Sequence, residues 1–230
     1  MRLFSPEHIA AIAATALGAL AVVALARRLS PRHATALARA LAILILAGFV
    51  VEQVTYVVRG DWSARVNLPL QLSDAVTFVA IAALWRPREG LLTELVWFLA
   101  LTATLQAVLT PDLFHTFPDL LYFTYFATHG GAILAACLLV PGLRRLPRRG
   151  AAWRVFGLTA LFAAAAAIGC LATGGNYMFL RHKPATGSAL DPLGPWPWYV
   201  LAAAALGLAM LLVLEALTRA LAPPRREARP

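Results

Sequence analysis

Apolar residues come in long runs, broken by short polar or proline-bearing stretches. Seven runs, at roughly 9–26, 36–58, 67–85, 91–110, 119–140, 153–173 and 196–217, approach the ~20 residues that a helix needs to cross a bilayer core. In hydrocarbon every backbone N–H and C=O must find a partner within the segment, so runs of this length predict helices. The connections are short, which predicts antiparallel neighbours. The pattern predicts an all-α, polytopic membrane protein. A bundle of seven transmembrane helices occupies residues 1–222, and a Pro- and Arg-rich tail at 223–230 is expected to be disordered. Positive charges follow the first run (Arg27, Arg28), the reverse of a cleavable signal, so that run is expected to stay as a helix.

Composition agrees with this. The chain of 230 residues is 60% hydrophobic, with a mean hydropathy of +0.72, far above a soluble domain. A net charge of +9 would suit nucleic acid, but the charges sit in short patches between apolar runs, which argues against such a partner. Arg2, Arg59, Arg65, Arg181 and Lys183 fall at one set of helix ends, and the other fifteen of the 20 basic residues at the opposite set. This asymmetry predicts an external N-terminus and a cytoplasmic C-terminus in the cell inner (plasma) membrane. Cys137 and Cys170 both lie inside apolar runs, without the spacing of a disulfide framework or a metal site, and no metal or cofactor is expected.

Polar side chains within the runs collect toward the outer half. Glu52 lies near the end of the second run; Asn67, Gln71, Ser73, Asp74 and Thr77 open the third. Thr102, Gln106 and Thr110 close the fourth, followed by Asp112. Tyr122, Tyr125 and His129 enter the fifth, and Asn176 follows the sixth. The inner halves are mostly Ala, Leu and Val, with Glu94 and Glu215 near the cytoplasmic ends and Arg219 placed to pair with Glu215. Spacing predicts three polar helix faces: Asn67–Gln71–Asp74, Thr102–Gln106–Thr110 and Tyr122–Tyr125–His129. A carboxylate inside a span is a functional-site candidate by default. Plainer readings stand beside it. Ser73 bonds a backbone carbonyl, His129 is satisfied between helices, and Asp74 pairs with Arg59, Arg65 or Arg181. Trp196 and Trp198 suit an interfacial aromatic belt.

Several stretches together resemble a known family. Leu68-Pro69-Leu70-Gln71-Leu72-Ser73-Asp74, Gln106 to Asp112, His129-Gly130-Gly131, Gly175-Asn176-Tyr177-Met178, Arg181, Lys183-Pro184 and Leu193 to Tyr199 are similar to the bacterial YwaF-type integral membrane proteins. Those are related to the eukaryotic transmembrane protein 164 group. For the eukaryotic relatives the resemblance implies acyl transfer on phospholipids through a cysteine and a histidine. By motif the cysteine position is Ser73 here and the histidine is His129; many members carry His where this chain has Gln71. Serine is the weaker nucleophile, so the change moves the expected chemistry from a thioester to an oxyester.

Two functions from different classes follow. The first is an intramembrane lipid acyltransferase or acyl-ester hydrolase. Ser73 is its nucleophile, His129 its base, and Asp74, Glu52 or Asp112 orients the imidazole. Gln71, Asn176 or a tyrosine would donate to the oxyanion, and Tyr125 is expected among the substrate-binding residues. Arg181 and Lys183 would hold a lipid phosphate, with Gln106, Asp112 and Asn67 lining the site. Its partner is a membrane phospholipid or other acyl donor. The second is a small-solute or proton-coupled transporter or sensor that uses the same cluster as a binding site. A polar path through the inner half would favour transport, and a dead-end pocket would favour lipid chemistry.

Overall fold

The computed structural model describes residues 2–184 and 188–221; the tail expected at 223–230 lies outside the described residues. The described residues form a helical bundle. Six helices are long and apolar enough to cross a membrane: α1 (Pro6–Arg28), α2 (Pro31–Arg59), α4 (Gly90–Leu109), α5 (Leu120–Gly142), α6 (Ala151–Thr173) and α7 (Trp198–Ala220). Between α2 and α4 runs α3 (Leu72–Trp85), of 14 residues. At 1.5 Å per residue it covers only ~21 Å.

Local sequence sets these ends. α1 and α2 each begin with proline just after a serine, where the missing N–H costs nothing and the fixed φ suits a first turn. Gly60 ends α2 at φ 76°, the left-handed conformation that closes a helix. The third helix begins at residue 72 rather than 67, because residues 63–71 turn on themselves. The N–H groups of Val66 and Asn67 donate to the Ser63 carbonyl, and that of Leu70 donates to Leu68. Pro69 has no N–H to offer a helix. Asn67 and Gln71 therefore precede the helix, and the predicted face shared by Asn67, Gln71 and Asp74 does not exist.

The bundle is built around α5, the most enclosed helix. Its small residues Gly130, Gly131, Ala132, Ala135 and Ala136 are buried, which lets neighbours approach closely. A Cβ added at Gly131 would stand 2.6 Å from Ile45 Cγ1 on α2. α1 runs parallel to α5. The Tyr122 hydroxyl donates to the Glu7 carbonyl at one end (2.6 Å), and Arg27 Nε donates to the Pro141 carbonyl at the other (3.2 Å). α2 runs antiparallel to it, with Arg59 paired to Asp119 at 3.0 Å. Contacts farther along keep the alternation, placing the starts of α3, α5 and α7 at one end of the bundle and those of α2, α4 and α6 at the other.

The second of these ends is locked by carboxylates. Glu94 is fully buried and accepts from the Arg148 backbone N–H (3.0 Å), Arg148 Nε (2.8 Å), and Arg154 Nε and Nη2 (3.0 and 2.9 Å). These bonds hold the Arg148 guanidinium above its ordinary pKa. Glu215 pairs with Arg219 at 2.6 Å as expected, and also caps α6 by accepting from the N–H groups of Gly150 and Ala152 (2.8 and 2.9 Å). We name the two ends by residue, the Ser73 end and the Glu94 end.

Candidate functional site

The site is built on the chain that leads into α3. Tyr177, in a short turn after α6, is fully buried; its hydroxyl donates to the Ala64 carbonyl (2.6 Å) and accepts the Leu68 N–H (3.1 Å). Burial pushes this phenol's pKa up, so it remains a donor. Its own N–H donates to Cys170 Sγ at 3.1 Å. Nearby, the Met178 N–H donates to Gln71 Oε1 (2.8 Å). Met178 and Phe179 both hold positive φ, 53° and 54°, which disfavours L side chains and needs surrounding contacts to persist. Gly175 is required here for another reason. A Cβ on it would lie 2.4 Å from the Arg65 carbonyl oxygen. The lead-in to α3 is thus clamped onto the α6–α7 connection.

That clamp presents Ser73 in the first turn of α3. Other helix hydroxyls, such as those of Thr15, Thr55, Thr77, Thr102 and Thr128, donate to a carbonyl four residues back. Ser73 does not, because the residue four back is Pro69, outside the helix. Among the described residues its half-buried hydroxyl has no hydrogen-bond partner, yet it is not sealed off. The N–H groups of Leu72 and Ser73 are likewise unbonded, as first-turn donors are. They point out of the positive end of the helix.

Asp74 caps the same turn, its Oδ2 accepting from the Gln71 N–H at 3.1 Å. No ion pair with Arg59, Arg65 or Arg181 forms among the described residues; Arg59 is taken by Asp119. Glu52 on α2 lies within electrostatic range of Asp74 and of Tyr125, and Tyr125 is also within range of Asp112. The half-buried Glu52 carboxylate accepts no hydrogen bond among the described residues, and its oxygens are not sealed off.

On α5 the Tyr125 hydroxyl donates to the Ala107 carbonyl of α4 (2.8 Å). His129 stacks on the Tyr125 ring, with centroids 4.0 Å apart, and its Nδ1 lies 2.9 Å from the Tyr125 carbonyl. A carbonyl only accepts, so Nδ1 carries the proton and Nε2 keeps its lone pair. No hydrogen bond joins Ser73 to His129. Tyr122 turns instead toward α1, so the predicted Tyr122–Tyr125–His129 stripe divides between two neighbours.

Other expected residues sit elsewhere. Thr102 is buried but Gln106 and Thr110 are exposed; the π-helical segment Ala100–Thr104 shifts the register and breaks the predicted stripe. Asp112 is exposed, and Asn67 accepts from the Ser63 N–H (2.9 Å). Asn176 uses its amide within its own loop, donating to the His182 carbonyl (2.8 Å) and accepting from the Arg181 N–H (2.9 Å). Arg181 Nη1 donates to the Gly175 carbonyl (3.3 Å). Lys183 Nζ donates to the Asp191 carbonyl (2.9 Å) and lies 5.5 Å from the Tyr199 ring centre. Among the described residues no cluster of His, Cys, Asp and Glu forms a metal site.

Tyr125 and His129 are stacked, Ser73 and Asp74 share the first turn of α3, and Glu52 lies within electrostatic range of Asp74 and Tyr125. The structure separates Asn176, Arg181 and Lys183 as a loop network that meets the site only through Gln71 and Tyr177. Tyr177 is the residue that sequence reasoning undervalued. Its signal was the pair of glycines before it, which permits close backbone approach. Below His129 the packing is apolar: Ala132, Ile133, Ala135, Ala136, Leu138 and Leu139 are all buried.

A polytopic helical membrane protein with a group of polar side chains gathered near the Ser73 end is the class that this fold and site define. The chain belongs to the TMEM164 family, whose model matches residues 3–215. Comparisons with curated proteins and with solved structures found no match.

Proposed function

We propose that the protein is a membrane lipid acyltransferase or acyl-ester hydrolase that works at the Ser73 end. The observation that carries this reading is the unpartnered Ser73 hydroxyl on the first turn of α3, beside two free backbone N–H groups. Ser73 Oγ attacks an acyl-ester carbonyl. The N–H groups of Leu72 and Ser73 face the developing oxyanion. His129 Nε2 accepts the serine proton by way of a water or substrate group between them, then returns it to the departing alcohol. A second alcohol or water takes the acyl group from Ser73 by the reverse steps. Asp74, held by its capping bond, and Glu52 stabilise the transient positive charge. The strained Met178–Phe179 turn braces Gln71 and so the start of α3. Arg181 and Lys183 lie on the same end, where a lipid phosphate would sit.

The alternation of helix ends and the arginine asymmetry support seven crossings, with α3 as a short one. They also support an external N-terminus and an inner-membrane location. The competing reading, a proton-coupled transporter or sensor, is favoured by the unbonded Glu52 carboxylate beside Asp74. The apolar packing below His129 and the locked Glu94 end count against it.

The test is purified protein in nanodiscs with phospholipid labelled in one acyl chain. Label should appear as free fatty acid or on an acceptor lipid. Ser73→Ala should abolish it, and Ser73→Cys should retain it and accept a thiol probe. Undiminished turnover in Ser73→Ala removes the serine from the chemistry. Proton flux in proteoliposomes with no acyl release would install the competing reading.

A further inference from the structure

α1 and α2 are joined by Leu29 and Ser30 alone, yet they barely pack against each other. Both rest on α5, and between them runs a groove of about 680 Å³ open to the membrane. Its walls are the small residues Ala10 and Ala14 of α1 and Leu41 and Leu44 of α2, and its floor is α5 from Tyr122 to Leu134. That floor is ~18 Å long at 1.5 Å per residue. This is close to one leaflet of a ~30 Å hydrocarbon core, the depth of a single acyl chain.

The rim at the Ser73 end is chemically distinct. Glu7 is the only charged residue lining the groove among the described residues, and the Tyr122 hydroxyl donates to its backbone carbonyl, which holds the first turn of α1 at this rim. Beside it stand Phe117, Tyr122 and Phe123. Their rings meet edge to face in all three pairs, with centroids 5.9, 5.7 and 5.4 Å apart. Phe117 and Phe123 are about half exposed. An acidic residue and exposed aromatic rings lining the same end of a groove attract an alkylammonium group and repel an anionic head group.

We infer that this groove is a lipid site, distinct from the polar residues around Ser73 and His129, that seats one phospholipid with an amine in its head group. One acyl chain lies along α5 between α1 and α2, and the ammonium sits against Glu7 and the aromatic rim. The inference does not depend on acyl transfer, since neither Ser73 nor His129 lines the groove.

Native mass spectrometry of the delipidated protein, offered equal palmitoyl-oleoyl phosphatidylethanolamine and phosphatidylglycerol, tests it. One phosphatidylethanolamine should be retained, with a preference on the order of threefold to tenfold. Glu7→Lys should reverse the preference. Ala14→Trp should fill the groove and release the lipid, while Ser73→Ala should still hold it. Equal retention of the two lipids, an unchanged ratio in Glu7→Lys, or undiminished retention by folded Ala14→Trp would each overturn the assignment. If Ala14→Trp does not fold, the Glu7→Lys ratio decides.

Discussion

Tyr125 lies almost flat on His129, with an interplanar angle of 21°, and its carbonyl holds the imidazole Nδ1. One residue thus sets both the plane and the tautomer of the histidine, and it is tied in turn to α4 through Ala107. Tyr125→Phe should keep the stack and lose only the hydroxyl bond, about 1 kcal/mol of stability. Tyr125→Ala should remove the stack and cost about 3 kcal/mol. Thermal unfolding in a fixed detergent separates the two. If acyl transfer is confirmed, Tyr125→Ala should lower its rate far more than Tyr125→Phe.

Glu94 gathers Arg148 from the segment that links α5 to α6 and Arg154 from the first turn of α6. Replacing it with Ala leaves the Arg148 N–H and two guanidinium groups without their acceptor. Both arginines are partly exposed, so water recovers some of the loss, and about 2–3 kcal/mol is expected rather than the larger cost of stranding a fully buried charge. Arg219→Ala should cost less, because Glu215 keeps its two bonds at the start of α6. Denaturation midpoints of the two variants in the same micelle check this order.

The clamp between Arg59 and Asp119 should make stability sensitive to acid. The bonds from Arg59, then that from the Leu121 N–H, hold the Asp119 carboxyl below its ordinary value of 3.8. A depressed carboxylate stabilises the fold above its unfolded pKa, and that contribution is lost as pH falls through the folded one. The melting temperature should therefore drop as pH is lowered from about 5 to below 3, and Asp119→Asn should flatten part of that drop. An identical acid profile in the variant would exclude the clamp as its source.

Two glycines should respond oppositely to alanine. Gly175→Ala pushes a Cβ against the Arg65 backbone, which no rotamer can relieve, so about 2 kcal/mol or more should be lost. Amide exchange across residues 63–71 should rise with it. Gly207 lies inside α7 with nothing within 4 Å of an added Cβ, and Gly207→Ala should gain up to about 1 kcal/mol.

Much of this architecture is legible in the sequence, because hydrocarbon imposes one solution on apolar runs of the right length. The long helices, the helical first run and the gathering of polarity toward the Ser73 end follow from that constraint, and the Glu215–Arg219 pair follows from its spacing of four residues. The start of α3 does not, since a turn built from Ser63, Asn67 and Pro69 competes with helix and wins through distant partners such as Tyr177. The Thr102–Gln106 face fails because a π segment changes the period on which the reading rests. Glu94 looks isolated in the sequence, and only the fold brings Arg148 and Arg154 to it. Local spacing identified Tyr125 and His129 as neighbours, but it could not place Tyr177 beneath the lead-in to α3, because that contact joins residues more than a hundred positions apart.

α6 and α7 touch the rest of the bundle chiefly near their ends, through Arg154, Thr218 and Glu215 on one side and Tyr177 and Tyr199 on the other. Between those anchor points most of their leucines and alanines face outward, with Ala166 and Leu211 the buried exceptions. Fatty chains therefore complete the packing of this pair, and the choice of solubilising agent becomes a structural variable. Agents with short tails should free these two helices first, while the five wrapped around or bordering Gly131 hold together.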